Sequence, residues 1–579
     1  MNVGISYKRA AKRGDATSTR QDNGKPAAAS IKSRRTGFRT RPLVGNPVQT
    51  RRTVDEVHES IDMSPVVTAF VDTPQFQRLR HIKQLGTAEY VYMNCGHTRF
   101  EHSLGVAYLA RKMCQRIRDK QPQLPCTARD QLCVELAGLL HDIGHGPYSH
   151  IYEGFLTTEH PLYLQEHPEL QSFYEDLPEV NLKTWKHEEV SLRMIDAALA
   201  HMGLAVDLDH LDEPLQQIDD GIDAESMRVF QYGLSDDEAI LTSRDLVFVK
   251  ECIYGGPLGP VYEATRYQNH PTGRTLVGRG REKEWMYDIV SNGYSGLDVD
   301  KMDYFARDQR RAFGTSGEVA TQMIEDCFVG WGTCPKPNKC SRCRSGDNPT
   351  QRHLMICYGE KLEKSAINFF KERLNLHEKI YRHKTVQAAT YMVQDIFSLA
   401  DPYLPISTKP KFGKPGQNNN LGQPKSEHDG LPLSLAVLDI RAFERLNDSV
   451  IDLIESKEDI AELAPAQAVI RRLRSRDLYK CKGCLPISLM DPRDQELWNL
   501  TTAQIKNDLL SIPGEHDNGT DTPLVLCAED FIVEKCGIHH GSKSANPLQF
   551  MRFIQKRDEF ALNQPWDSLP LAVEYNAKK

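Results

Sequence analysis

The segment from Val134 to His150 (VELAGLLHDIGHGPYSH) constrains this chain more than any other. Val134, Leu136, Ala137, Leu139 and Leu140 recur at helical spacing, so the stretch up to His141 predicts a buried helix. His141 and Asp142 stand side by side at its end, where an imidazole nitrogen and a carboxylate oxygen can both turn toward one divalent metal. His145 follows one helical turn after His141 and falls beside the same point. Gly144, Gly146 and Pro147 then break the helix and let a loop fold back over the site. A polar helix end with solvated histidines is the competing reading. The histidine density and the partners elsewhere in the chain weigh against it.

One His-Asp pair is half a metal site. Candidates for the other half are His102, in Arg99-Phe-Glu-His-Ser-Leu-Gly105, and Asp300, in the run from Gly296 to Asp308 (GLDVDKMDYFARD). Both lie in or next to helical patterns, which make rigid platforms for ligands. The order His, then His-Asp, then a distant Asp is that of HD-domain metal phosphohydrolases.

A chain of 579 residues exceeds one hydrophobic core, and two or three domains are expected. Residues 1–50 carry many Lys and Arg with almost no aliphatic periodicity, which predicts a disordered basic tail. That tail suits nuclear import, weak binding of single-stranded nucleic acid, or mere solubility. The net charge of −7 therefore rests on an acidic body, which argues against one large nucleic-acid-binding face. No run reaches the roughly 20 apolar residues of a membrane span, and no apolar signal region opens the chain. With 14 scattered cysteines, reduced thiols in the nucleus and/or cytoplasm are expected, with a mitochondrial transit peptide as the minority reading.

Helical patterns dominate residues 51–403: Leu104–Ile117, Arg129–His141, Glu188–His201 and one long run, Leu362–Leu399. Residues 404–432 are rich in Gly, Pro and Asn and predict a flexible linker. Beyond it, Leu433–Leu463 and Ala466–Leu473 read as helices, and Pro523–Cys527 and Asp530–Glu534 as short strands. The expected class is mainly α, with a helical HD-domain core and a smaller C-terminal α+β lobe at 433–579 for regulation and oligomerisation.

Several longer runs carry a closer resemblance: Asp72–Arg80 (DTPQFQRLR), Ile82–Gly86 (IKQLG), Arg99–Gly105, Ile289–Asn292, Asp298–Asp308 and Glu529–Val533. Together they resemble the eukaryotic deoxynucleoside triphosphate triphosphohydrolases that join a SAM domain to an HD domain. The similarity is dense over 51–400 and thin over 433–560, and a SAM domain is not expected here. The resemblance implies hydrolysis of a dNTP to a deoxynucleoside and inorganic triphosphate. It places His102, His141, Asp142 and Asp300 on a divalent metal (Fe, Mn, Mg or Zn), with His150 as proton donor to the leaving 5′ oxygen. His145 and His187 would orient water and the α-phosphate. Arg99, Lys301, Arg373 and Tyr304 would contact the triphosphate, and Gln84 and Asp308 the sugar 3′-hydroxyl. Tyr381 and Leu85 would wall off a 2′-hydroxyl.

The family is activated by guanine nucleotide and dNTP bound between subunits of an oligomer, dimer or tetramer. Asp72, Gln77 and Arg80 keep the guanine-reading pattern, and His383, Lys384, Arg476 and Lys480 keep basic activator positions. The departures are Glu153 in place of a catalytic aspartate, Asp55-Glu-Val-His-Glu59 in place of Asp-Pro-Ile-His-Gly, and Gly359 in place of an activator-contacting arginine. Catalysis is thus better supported than activation by GTP. A nucleotidase or phosphodiesterase at the same site is the second enzymatic reading. A nucleic-acid-binding protein with a vestigial HD site is the third.

An insertion foreign to the family, about residues 330–352, contains Cys334-x5-Cys340-x2-Cys343, with His353 following. A structural zinc on those thiolates and one further ligand competes with an ordinary cysteine-containing loop. Cys481-x2-Cys484 has no obvious mate.

Overall fold

Two parallel needs shape the helical core: long apolar faces must be buried, and the polar helix ends must be capped. Helix α1 (Arg99–Lys120) is the central rod, and Glu101 accepts the Thr98 backbone N–H at 2.9 Å to close its first turn. Helix α2 (Ala128–Leu140) packs along it. Thr127 and Asp130 cap α2 reciprocally, the Asp130 carboxylate accepting the Thr127 N–H at 2.9 Å and the Thr127 hydroxyl the Asp130 N–H at 3.1 Å, which satisfies two orphan donors. The computed structural model describes residues 51–174, 185–218, 241–258, 276–315, 319–336, 340, 342–343, 351–409, 430–485, 487, 491–511, 527, 530–535 and 545–575. The basic tail, most of the linker and the proposed strand at 523–527 fall largely outside them.

The short helix α3 (His150–Gly154) follows the loop that ends α2, and α4 (His187–His201) meets it through His187. Helix α5 (Ser243–Tyr254) lies beside α2 and packs on α4. Arg279 ties their N-termini together, reaching Asp130 and the equivalent capping residue Asp245 at 2.6 Å each. Helix α6 (Val299–Phe313) crosses α1 and ends at Gly314, whose φ of 74° makes the left-handed stop that favours glycine. Helices α7 (Glu363–Leu376), α8 (Lys384–Ala400) and α9 (Ala464–Arg474) complete the bundle.

Strands are few. Strands β1 (Arg51–Asp55) and β2 (Glu59–Met63) form a hairpin. Strands β3 (Cys327–Thr333), β4 (Arg352–Gly359), β5 (Arg552–Ile554) and β6 (Val573–Glu574) form a sheet in the order β6-β5-β4-β3, with only β4 and β5 parallel. The C-terminal segment thereby completes a sheet begun by the helical half. The mainly α expectation holds. Among the described residues no helix is long and apolar enough to cross a membrane.

Three local expectations are corrected. The long helix Leu362–Leu399 is two helices, because the chain widens into a π-type turn over His377–Tyr381 and His383 turns extended to cap α8. Leu433–Leu463 is a series of short turns and helices, interrupted by polar breaks such as Asp439 and the Asn447-Asp448-Ser449 turn. Asp530–Glu534 is not a strand. Its Glu534 instead meets Arg382 and Tyr391, so side-chain bonds anchor this segment in place of a ladder.

The α1–α6 crossing requires Gly105. A Cβ there would stand 2.0 Å from Asp303 Oδ1 and 2.6 Å from Arg307 Nη2. Gly105→Ala should lower stability by about 1–3 kcal/mol, the usual range for overpacking a filled core. Urea unfolding checks this, and an unchanged midpoint would contradict the packing.

Candidate active site

Helix ends deliver the site. The terminal turn of α2 gives way to His141 and Asp142, α1 contributes His102 from its first turn, and the first turn of α6 contributes Asp300. One donor atom each from His102, His141 and Asp300 lies within 4.8 Å of the others. His102 Nε2 is 3.1 Å from Asp300 Oδ1 and 3.4 Å from Asp142 Oδ2. His141 Nδ1 donates to the Gly138 carbonyl at 2.8 Å. This leaves its buried Nε2 without a hydrogen bond, 3.3 Å from Asp142 and 3.4 Å from Asp300.

Two imidazoles and two carboxylates suit a divalent transition metal. The electrostatics agree. Burial opposes a charge on His102, but hydrogen bonds to Asp300 and Asp303 outweigh it and push its pKa to about 10. Carboxylates this crowded call for a cation, and the orphaned His141 nitrogen points among them. The residues present fit the metal.

Behind His102 stands a buried shell. Its Nδ1 meets Asp303 Oδ2 at 2.8 Å, and the other Asp303 oxygen meets His58 Nε2 at 2.6 Å. Arg307 spans both oxygens of Asp303 at 2.9 and 3.0 Å and reaches Asp55 at 2.9 Å. Such carboxylate partners fix the tautomer and direction of a ligating ring.

A second histidine cluster adjoins the first. His145 and His187 stack with centroids 3.8 Å apart, and His150 stands edge-on to His145 at 5.0 Å. The two clusters share Asp142, whose Oδ1 is 3.2 Å from His145 Nε2. Glu153 Oε2 lies 3.0 Å from His150 Nδ1 and 3.3 Å from His187 Nδ1. Burial resists ionisation of Glu153, but these two hydrogen bonds prevail and hold its carboxyl well below the usual range. The loop before α3 is strained to aim His150: Tyr148 and Ser149 have φ of 56° and 60°, a region costly for residues with a Cβ. Asp448 accepts the Tyr148 N–H at 2.6 Å, and Ser149 donates its hydroxyl to the Lys83 carbonyl at 2.7 Å, holding the turn in place.

The chain matches the family model for the HD domain over residues 99–220. It is 31% identical over 505 residues to the deoxynucleoside triphosphate triphosphohydrolase SAMHD1 of Bos taurus, covering 87% of this chain and 69% of that protein. It is 30% identical over 523 residues to the Homo sapiens protein of the same name, covering 89% and 67%.

The chain belongs to the SAMHD1 family.

A homolog from Dictyostelium discoideum is 27% identical, covering 87% of this chain and 71% of that protein. The chain thus spans about two thirds of the length of its named relatives.

The remaining expected residues gather unevenly. Arg99 donates to Asp142 at 2.6 Å and to the Ser149 hydroxyl at 3.0 Å, so it faces the metal donors. Lys301 is held by Asp298 at 2.9 and 3.0 Å. Tyr304 feels both Lys301 and Arg373, although burial is what chiefly raises its pKa. Tyr381 donates to Asp308 Oδ2 at 2.6 Å, and His97 meets the other Asp308 oxygen at 2.9 Å. Leu85 packs on the core, and the buried Gln84 Oε1 has no hydrogen-bond partner.

The expected activator residues are spread more widely. Asp72 forms a two-pronged pair with Arg51 at 2.6 and 2.7 Å. Gln77 accepts from Arg80 at 2.8 Å, and Arg80 also lies over the Phe100 ring. Arg476 donates to the Tyr90 carbonyl at 2.6 Å. His383 caps α8, just ahead of Lys384. Lys480 follows Tyr479, which bonds Asp395 at 2.5 Å. Gly359 ends β4, opposite Ile554 of β5.

Sequence reading missed Asp303, Arg307, His58, Asp55 and His97. The signal for the first two was the i, i+4 spacing on α6 inside the recognised run. Asp55 ends β1 and His58 lies in the following hairpin turn, within the segment that reads as a departure from the family. Asp303→Asn should weaken metal binding roughly 10- to 100-fold while leaving all four donors in place. Competition against a fluorescent chelator measures this, and unaltered affinity would remove Asp303 from the site.

Proposed function

We propose that this chain hydrolyses deoxynucleoside triphosphates, releasing a deoxynucleoside and inorganic triphosphate and so limiting the dNTP pool. One observation carries the reading: a metal-donor cluster and a histidine–carboxylate cluster meet at Asp142, as phosphoryl hydrolysis requires. The relatives named for this activity support it. We assign the metal to His102, His141, Asp142 and Asp300; a bound divalent cation supplies Lewis acidity at the α-phosphate.

The protein's own groups then have distinct tasks. Glu153 accepts the Nδ1 hydrogen of His150, leaving Nε2 to hand a proton to the departing 5′ oxygen. The same carboxylate steadies His187, which with His145 orients water toward phosphorus. Water adds to the α-phosphorus and gives up a proton to solvent, the bond to the 5′ oxygen breaks, and the His150 proton completes the deoxynucleoside before the exposed ring is reprotonated from solvent. Arg99, Lys301 and Arg373, with the Tyr304 hydroxyl, balance the triphosphate's charge. The unpaired Gln84 Oε1 is an acceptor suited to the 3′-hydroxyl, while the Tyr381–Asp308 bond steadies a wall against a 2′-hydroxyl. That wall reads the sugar and not the base.

Metal-loaded protein given each dNTP should therefore yield triphosphate, separable from pyrophosphate and monophosphate by anion exchange. His141→Ala should abolish the product, and His150→Ala should lower kcat roughly 100- to 10,000-fold, the contribution typical of general acid catalysis. Release of monophosphate or pyrophosphate instead would transfer the site to nucleotidase chemistry.

We assign GTP and dNTP activation within a homo-oligomer to Asp72, Gln77, Arg80, His383, Lys384, Arg476 and Lys480. The exposed Asp72–Arg51 pair supports this, since it leaves the guanine-reading carboxylate at the surface. The basic tail suits a nuclear or cytoplasmic location and weak single-strand binding. GTP with a dNTP should raise the particle mass in mass photometry, and Asp72→Ala should prevent the rise. A mass indifferent to every nucleotide would rule activation by assembly out.

A further inference from the structure

The insertion between β3 and β4 builds a second donor cluster, on the sheet and apart from the histidine–aspartate site. Cys334 directly follows β3, and its N–H extends the ladder to the Gln351 carbonyl at 2.9 Å. His353 is the second residue of β4, paired with Gly332. These two anchors therefore belong to one rigid hairpin. Cys340 and Cys343 come from the connection, in a turn closed by the Cys343 N–H to the Cys340 carbonyl at 3.2 Å.

The four side chains converge. One donor atom each from Cys334, Cys340, Cys343 and His353 lies within 4.8 Å of the others. His353 Nε2 is 3.6 Å from Cys340 Sγ and 3.3 Å from Cys343 Sγ. Tetrahedral zinc, with Zn–S about 2.3 Å and Zn–N about 2.0 Å, has S···N edges of about 3.5 Å.

The surroundings are those of a metal site as well. His353 is buried, and its Nδ1 lies 3.4 Å from Glu284 Oε2. The other oxygen of Glu284 accepts the Leu354 N–H at 2.5 Å and so is fixed in place. A carboxylate behind a ligating imidazole orients the ring and raises its basicity. Cys340 Sγ receives the Arg342 N–H at 3.4 Å and lies 3.0 Å from the Tyr294 hydroxyl. Arg342 pins the turn to the body through Asp288 at 2.6 Å.

Cys481 and Cys484 make an instructive contrast. Their sulfurs are 3.5 Å apart but exposed, and no third donor joins them among the described residues. The Cys-x2-Cys spacing alone does not make a site.

We propose that Cys334, Cys340, Cys343 and His353 form a structural Cys3His zinc site that locks the β3–β4 connection onto the sheet. All four positions are protein ligands, so the site is closed and holds the ion without an open position for substrate.

The test uses the full chain, expressed with zinc supplied and purified without reductant. X-ray absorption at the zinc edge should show a zinc with three sulfurs and one nitrogen. A mercurial thiol reagent should release one zinc per chain, read by a chromogenic chelator. Cys343→Ser should lose that zinc, whereas His353→Cys should retain it in an all-sulfur shell. Zinc at the histidine–aspartate site would add only nitrogen and oxygen neighbours to the averaged shell, so the sulfur count is scaled to the total zinc per chain. A zinc shell without sulfur, a Cys340–Cys343 disulfide in zinc-supplied protein, or full thiolate zinc in Cys343→Ser would overturn the proposal. The wild-type spectrum decides the matter even where a variant does not fold.

Discussion

The Asp303 carboxylate is the interaction on which the site depends. It is fully buried and receives His102, His58 and Arg307 together. Burial opposes its charge, yet Arg307 first and the two histidines next hold it well below the usual carboxylate range. Losing one partner of such a buried ion group costs about 3–5 kcal/mol, because the remaining charge is left uncompensated. Through Asp303 and Arg307 the β1–β2 hairpin, α1 and α6 meet at one point. His102 is aimed by that junction, and its Nε2 is thereby turned toward Asp142 and Asp300.

The local elements were most legible where periodicity and capping agreed. Thr127 with Asp130 starts α2 within one residue of where the apolar spacing places it, whereas the Thr98–Glu101 cap starts α1 at Arg99, five residues ahead of the expected Leu104. The His141-Asp142 pair was legible for the same reason, since it ends a helix whose apolar spacing is regular. Periodicity failed at 377–383, where a widened turn keeps the apolar positions nearly in phase while breaking the axis. It also failed at Leu433–Leu463, where apolar residues are frequent but the helices are only a turn or two long. Asp303, His58 and His97 were illegible for another reason. Their importance lies in pairings across 201, 245 and 211 residues of sequence, which no local pattern contains.

Glu153 joins two histidines of the site through one oxygen. The carboxylate stands on a helix of only five residues, and one of its oxygens serves both His150 and His187. Helix α3 follows directly on the strained Tyr148–Ser149 turn. That turn is in turn held by Asp448 and the Lys83 carbonyl. Strain at a functional loop persists only where surrounding bonds over-determine it, and here they come from Lys83, ahead of α1, and from Asp448 in the C-terminal half.

The Tyr381–Asp308 bond has a wider meaning for how selectivity can drift. Asp308 and Asp300 ride on the same helix, α6, about 12 Å apart by helical rise. On the proposed function, the sugar wall and one metal donor are therefore set by one rod. A change on α6 that opened the pocket would also disturb the donor set. On the proposed function, a new sugar preference would arise on the α7–α8 side, where the π-type turn at His377–Tyr381 carries the aromatic ring and holds none of the assigned metal donors.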